Sequence, residues 1–197
     1  MTQKTIPIVY RVLQRLLKWG LAVFFQKIEV RHGENIPERG PVLFVANHPN
    51  STMDALVLGG ISNRMVHYIG HAGLFAHKLM AWLLGSCGVI PVLRRRGEED
   101  RAERNVEAFE ACYQVLERSG AIGIFPEGTS DMSHLVKKAK TGAARIVLEA
   151  ERRNAYALGV RVIPVGLHFF SRSRFRSRVL VNVGWPIDLG PYLAIDA

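Results

Sequence analysis

Residues 8–25 carry apolar side chains at helical spacing: Val9, Val12, Leu13, Leu16, Leu17, Gly20 and Phe24 fall on one face, and Arg11, Gln14, Arg15 and Lys18 take the other. The pattern predicts an amphipathic helix with a basic stripe. Its longest uncharged run, residues 19–26, is far short of the ~20 apolar residues that span a bilayer. Such a helix is expected to lie in a membrane interface, its apolar face among acyl chains and its arginines at headgroup level, rather than to cross it. Trp19 and the Phe24-Phe25 pair favour that placement, because aromatic side chains concentrate at the interface. The competing reading is an ordinary helix packed on its own domain.

Beyond residue 26 the period changes. Ile28 and Val30 alternate with Glu29 and Arg31, a half-buried strand that stops at Gly33 and the Asn35-Ile36-Pro37 turn. Residues 41–46 are continuously apolar and predict a buried central strand. That strand delivers Asn47 and His48 to its C-terminal end, where open α/β sheets collect ligands. Ser51 or Thr52 is placed to cap a helix running through Leu58. A short strand over 65–69 leads to a strongly apolar helix face made by Leu74, Phe75, Leu79, Trp82 and Leu83, either core or an extension of the membrane surface. After a strand over 89–93, a helix over 98–118 is expected to bury Ala102, Val106, Phe109, Tyr113 and Leu116. A strand over 121–125, a helix over 138–153 and strands over 162–168 and 178–183 complete the pattern. Strands alternating with helices predict a three-layer α/β domain around a mixed sheet.

Composition sharpens this picture at three points. A chain of 197 residues has room for one core and is expected to form one domain. Its 48% hydrophobic content and mean hydropathy of +0.08 are high for a soluble protein of this size, so part of the apolar surface is expected to meet lipid. The formal net charge of +9 suits an anionic partner, whether a membrane surface, a phosphorylated substrate, coenzyme A or nucleic acid. Nucleic acid is disfavoured because aromatic residues are not interleaved with the basic ones in a recognised binding pattern. Cys87 and Cys112 are too few for a disulfide framework and are not spaced as a metal site, so reduced, buried thiols are expected. Basic residues interrupt the N-terminal apolar stretch and no small-residue cleavage site follows it, so no secretory processing is expected.

The chemistry concentrates in two segments. In Asn47-His48-Pro49-Asn50-Ser51-Thr52-Met53-Asp54, a histidine and a nearby carboxylate can make a hydroxyl nucleophilic: the imidazole takes the proton, and the carboxylate fixes its tautomer and stabilises the cation. Phe125-Pro126-Glu127-Gly128-Thr129-Ser130 supplies a turn with backbone N–H groups, two hydroxyls and a carboxylate, suited to a phosphorylated acceptor. His67, His71, His77, His134 and His168 have no comparable setting. No Gly-x-Ser-x-Gly elbow is present, which disfavours a serine hydrolase. Arginines alternate with other residues from Ser171 to Arg178, either a polar hairpin or a headgroup-binding edge.

At these residues the chain resembles the glycerolipid acyltransferase family, which acylates glycerol-3-phosphate or 1-acylglycerol-3-phosphate. Four blocks match in order: the segment from Asn47-His48 to Asp54, Gly88-Val89-Ile90-Pro91-Val92-Leu93-Arg94, Phe125 to Ser130, and Val162-Ile163-Pro164-Val165-Gly166; Lys140-Thr141-Gly142-Ala143-Ala144 follows the third. The family usually places four residues between the histidine and the aspartate, whereas five separate His48 from Asp54, a spacing closer to the glycerol-3-phosphate side of the family. His71 sits near where the family often carries a lysine.

The resemblance implies a phospholipid-biosynthetic O-acyltransferase built as an amphipathic membrane-associating helix over 1–26 and an acyltransferase domain over 27–197, the latter ending where the family usually continues. His48 is then the general base and Asp54 its orienting partner, while Arg94, Glu127, Gly128, Thr129, Ser130 and Lys140 bind the acceptor. Arg94 offers a bidentate fork to phosphate, and Glu127 accepts a glycerol hydroxyl, organises Arg94 or caps a turn. Pro164 shapes the acyl-donor side. No bound cofactor and no metal is expected; an acyl-coenzyme A or acyl carrier protein thioester is the co-substrate. The expected partners are an anionic membrane surface and a glycerophosphate or lysophospholipid acceptor, with the protein held peripherally on a cytoplasmic face. The rival reading is a catalytically silent lipid-binding or membrane-scaffolding protein of the same fold.

Overall fold

The structure, a computed structural model, describes residues 8–92, 99–128 and 138–196. Among the described residues, six α-helices and seven strands follow one another as α1 (Ile8–Phe24), β1 (Lys27–Arg31), β2 (Val42–Ala46), α2 (Thr52–Ile61), β3 (Val66–His71), α3 (Lys78–Ser86), β4 (Val89–Val92), α4 (Glu99–Glu117), β5 (Ala121–Ile124), α5 (Gly142–Arg153), β6 (Arg161–Phe169), β7 (Arg178–Val183) and α6 (Gly190–Asp196). The strands form one mixed sheet in the order β1-β7-β6-β2-β5-β3-β4. Every neighbouring pair is parallel except β6 and β7, which form an antiparallel hairpin.

β2 lies between β5 and β6, with helices against both sheet faces, and this explains its unbroken apolar run. Successive side chains on a strand point to opposite faces. Phe44 and Ala46 enter one core with Leu21 and Phe25, and with Val57 and Leu58 of α2. Leu43 enters the other with Cys112 and Leu116 of α4 and Ile146, Val147 and Ala150 of α5. Val42, Leu43 and Phe44 are all fully buried. At the opposite end of the sheet from the site, the buried Arg64 guanidinium donates to the carbonyls of Pro37, Gly40 and Ser119, tying together the segments that enter β2 and β5. Burial lowers its pKa. Cys112 and Cys87 are free thiols; Cys112 is buried as expected and desolvation pushes its pKa up to about 12, whereas Cys87, also expected to be buried, is only half-buried at the C-terminal end of α3.

Several elements depart from the periodicity reading. α1 is apolar on two sides rather than one. Leu17, Leu21 and Phe24 turn into the core, and the fit is close enough that a Cβ on Gly60 of α2 would lie 2.6 Å from Leu21 Cδ1. Gln14, assigned to the polar face, turns inward and donates from Nε2 to the Ser62 carbonyl at 2.8 Å. Val12, Leu16, Trp19 and Val23 form an outward stripe, with Trp19 69% exposed. A seventeen-residue helix with this many apolar residues satisfies two 3.6-residue stripes at once, and only packing tells them apart.

The apolar segment after β3 is a 3-10 turn at Ala72–Phe75 followed by α3, and its face is surface, Leu79 being 77% exposed. In α4 Tyr113 and Leu116 are buried and Phe109 packs on the core as expected, with Ala108 and Cys112 joining them, but Val106 is 62% exposed; the side chain of Ala102 lies outside the described residues. α5 begins at Gly142, so Lys138 and Lys140 precede it, and α6 has no counterpart in the periodicity.

Candidate active site

The site forms where β2 and β5 end side by side. Val42↔Ala121 through Val45↔Ile124 set the register, so the segments leaving the two strands emerge together. Just past β2, the Asn47 side chain behaves as one more rung of the ladder. Its Nδ2 donates to the Leu167 carbonyl at 2.9 Å, and its Oδ1 accepts the Leu167 N–H at 2.7 Å. Asn47 therefore anchors the start of the loop and leaves His48 to project from it.

His48 Nδ1 lies 2.8 Å from Asp54 Oδ2. A carboxylate oxygen only accepts, so Nδ1 carries the proton and Nε2 presents its lone pair. Asp54 lies in the first turn of α2 and is 0% exposed. The same Oδ2 accepts the Asn50 N–H at 2.7 Å, a second donor that holds the carboxylate in place. Between His48 and Asp54, the Ser51 backbone adopts φ 50 and ψ −128. For a residue with a Cβ this region is sparsely populated and costs about 1–3 kcal/mol. The kink lets the Asp54 N–H reach the Ser51 carbonyl at 3.1 Å while the loop keeps its reach. Of the two expected caps it is Ser51 that occupies the N-cap position of α2, but its side chain makes no capping hydrogen bond.

The Pro-Glu-Gly turn packs directly on this loop. Glu127, 9% exposed, accepts the His48 backbone N–H on Oε1 at 3.3 Å, a contact between residues 79 positions apart. Gly128 has φ +71, and its N–H closes the turn onto the Phe125 carbonyl at 3.1 Å. A Cβ at Gly128 would lie 2.5 Å from Lys140 Nζ, so only glycine combines this backbone with the close approach of the lysine. The Lys140 N–H donates to the Pro126 carbonyl at 2.8 Å, which brings the ammonium to the turn from a segment ahead of α5.

His48, Asp54, Glu127, Gly128 and Lys140 thus meet in space. Arg94, Thr129 and Ser130, expected beside them, lie outside the described residues. Pro164, expected on the acyl-donor side, pairs with Val45 inside the β2–β6 ladder, and its ring crowds Gly184, where a Cβ would lie 2.7 Å from Pro164 Cγ. His67 is structural, with Nδ1 2.9 Å from the Gly88 carbonyl and burial lowering its pKa. His71 ends β3, and its side chain lies outside the described residues, as does all of His134.

Two residues escaped sequence reasoning. Phe125 stacks on the His48 ring with centroids 4.2 Å apart and planes 13° apart. Asn50 donates from Nδ2 to the Arg172 carbonyl at 3.3 Å, linking the His48 loop to the β6–β7 hairpin. Strand alternation offers a signal for the first, since Phe125 follows Gly123 by two and so shares its sheet face. Nothing local points to the second.

The molecule is an α/β domain whose imidazole, held in one tautomer beside a Pro-Glu-Gly turn and a lysine, has the chemistry to activate a hydroxyl and to hold an anionic group next to it. The particular family follows from residues 27–168, which match the model described as Acyltransferase: the chain belongs to the Acyltransferase family. Glycerol-3-phosphate O-acyltransferase 2 of Saccharomyces cerevisiae is 39% identical over 83 residues, 42% of this chain and 11% of the yeast protein. The chloroplastic 1-acyl-sn-glycerol-3-phosphate acyltransferase LPAT1 of Arabidopsis thaliana is 26% identical over 144 residues, 73% of this chain and 36% of the plant protein. The chain spans well under half the length of either relative. The crystal structure of the 1-acyl-sn-glycerophosphate (LPA) acyltransferase PlsC from Thermotoga maritima superposes with a TM-score of 0.70 at 23% identity, covering 91% of this chain and 69% of that one. The α/β architecture is therefore that of a known acyltransferase structure.

Proposed function

We propose that the protein moves a fatty acyl group from an acyl thioester to a hydroxyl of glycerol-3-phosphate or 1-acylglycerol-3-phosphate. The observation that carries this reading is the 2.8 Å contact between His48 Nδ1 and the buried Asp54 carboxylate, placed against the Pro-Glu-Gly turn of an Acyltransferase-family chain. His48 Nε2 takes the acceptor hydroxyl proton as its oxygen attacks the thioester carbonyl. Asp54 stabilises the imidazolium, the tetrahedral oxyanion collapses, the C–S bond breaks, and the proton passes to the departing thiolate. Lys140 and the Gly128 turn, with Arg94, Thr129 and Ser130, hold the acceptor phosphate. Glu127 holds the His48 backbone and accepts a glycerol hydroxyl. The named relatives act, by their names, on glycerol-3-phosphate and on 1-acylglycerol-3-phosphate, and the two acceptors are the arms of the test. Purified protein, given labelled acyl-coenzyme A or acyl carrier protein thioester and a panel of acceptors, is expected to yield acylated glycerophosphate on lipid chromatography. Binding of lipid with no product from any acceptor would replace this reading with the silent lipid-binding one.

The reading extends to where the enzyme works. Among the described residues no helix is long and apolar enough to cross a membrane. The outward stripe of Val12, Leu16, Trp19 and Val23 runs beside Arg11, Arg15 and Lys18, as interfacial helices do. The C-terminal end of α1 is joined to the arginine-rich hairpin: the Arg176 N–H donates to the Phe24 carbonyl at 2.7 Å, and Phe24 and Phe175 pack edge to face at 5.9 Å. Since the hairpin also holds Asn50, a bilayer bound on this side meets the protein next to the His48 loop. Vesicles containing anionic lipid are expected to bind the protein more tightly by ~1 kcal/mol per basic residue near the surface, and salt to weaken the binding. The variant L16S/W19S, altered only on the outward stripe, should be lost from the floating fraction. Equal recovery of variant and wild type would place the lipid contact elsewhere.

A further inference from the structure

We propose that Phe125 is a positioning residue for His48: its ring fixes the plane of the imidazole, backed by Tyr68, and its face stabilises the imidazolium formed during transfer. The proposal rests on His48 acting as the base. Asp54 grips only one edge of the imidazole, through Nδ1 at 2.8 Å. The imidazole's χ2 is a broad torsion and a single hydrogen bond tolerates a range of angles, so the ring can still tilt, and tilting would swing the plane in which Nε2 meets the acceptor hydroxyl. Phe125 removes that freedom. It lies face to face with the imidazole at 4.2 Å and 13°, and Tyr68 lies behind Phe125 at 6.4 Å and 7°, so three rings are stacked nearly parallel.

The stack has its own seat in the sheet. Tyr68 of β3 is paired directly with Gly123 of β5, and a Cβ at position 123 would lie 2.5 Å from Tyr68 Cε1 and 2.9 Å from Cδ1. Glycine here lets the tyrosine ring lie flat across its neighbour strand, which brings it behind Phe125, two residues on. The Tyr68 hydroxyl is buried and makes no hydrogen bond among the described residues, and burial holds its pKa well above the ordinary phenol value. Tyr68 thus serves the stack with its ring and keeps its proton. When His48 takes a proton, the cation forms over the negative face of Phe125, where ring and charge attract.

The test compares Phe125→Leu, Phe125→Tyr and a protein carrying pentafluorophenylalanine at position 125, which keeps the ring's shape and reverses the polarity of its face. Phe125→Leu is expected to lower kcat about two- to tenfold with KM for donor and acceptor within about twofold of wild type. Phe125→Tyr should retain the wild-type rate, and the fluorinated ring should fall with leucine although it packs as phenylalanine does. Independently of turnover, NMR of the free protein should show the His48 ring protons displaced upfield by the facing aromatic. That displacement should be lost in Phe125→Leu and kept in Phe125→Tyr. The NMR result stands even if the chain transfers no acyl group, so failure here is distinguishable from failure of the functional reading. Wild-type kcat with unmoved His48 signals in Phe125→Leu would overturn the proposal, as would a raised acceptor KM at unchanged kcat, which would make Phe125 a wall of the acceptor site. A full rate with the fluorinated ring would overturn the electrostatic part.

Discussion

His48→Ala is expected to lower kcat by about 10²–10⁴ while the protein keeps its fold, because a general base contributes that much and alanine offers no proton acceptor. The expectation of an intact fold follows from position. His48 lies beyond the last β2 ladder pair, and the backbone N–H that Glu127 holds is present in alanine as well. Removing the ring leaves the buried Asp54 carboxylate with the Asn50 N–H but without its imidazole partner, a loss of about 1–3 kcal/mol in stability. A thermal melt should therefore fall by a few degrees and remain cooperative. Folded His48→Ala protein with wild-type turnover would remove the mechanism proposed for this chain.

Asp54→Asn should be the second most damaging change, and it separates two parts of the carboxylate's role. Both the His48 Nδ1–H and the Asn50 N–H point at Oδ2, so an asparagine is expected to place its amide oxygen there and its NH₂ at the Oδ1 position. The histidine tautomer is then preserved, but the negative charge that stabilises the imidazolium is gone. Asp54 Oδ1 is buried without a hydrogen-bond partner among the described residues, and an NH₂ at that position would be an unpaired buried donor. The expected result is a loss of about 10²-fold or more in kcat, with acceptor KM little changed and stability reduced by about 1–3 kcal/mol. If Asp54→Asn retained kcat within about threefold of wild type, the carboxylate would be only a structural anchor for the loop. The same variant under NMR should still show the Nδ1–H tautomer; the opposite tautomer would mean the amide had flipped against Asn50.

The parts of the fold that could be read along the chain are those whose cause is local. Residues 41–46 announce a strand buried on both faces because they are apolar without alternation, and Leu43 and Phe44 do enter different cores. His48, Asp54 and the Pro-Glu-Gly turn are legible because their chemistry and spacing are visible without knowing what they touch. The interior of α1 was not legible. Val12 and Leu16 are as apolar as Leu13 and Leu17, and which pair faces the core depends on where α2 and Gly60 lie. The helix expected over 138–153 begins only at Gly142, although Lys138 and Lys140 are good helix formers. In the structure the Lys140 N–H is held by the Pro126 carbonyl, a partner outside any helix.

By itself the sequence determined the types of the seven strands and of helices α1 to α5, the alternation that makes an α/β sheet, the histidine–carboxylate pair and the net basic charge. Apart from the charge, each depends on residues within a few positions of one another. Tertiary structure decided the strand order that sets β2 between β5 and β6, and with it the meeting of His48 with Glu127, Phe125 and Lys140. It also decided the positive-φ backbone of Ser51, a costly conformation held where contacts fix both ends of the segment, here Asn47 on Leu167 and Asn50 on Asp54. Contacts between residues far apart in the chain depend on how the sheet closes, and no local pattern carries that information.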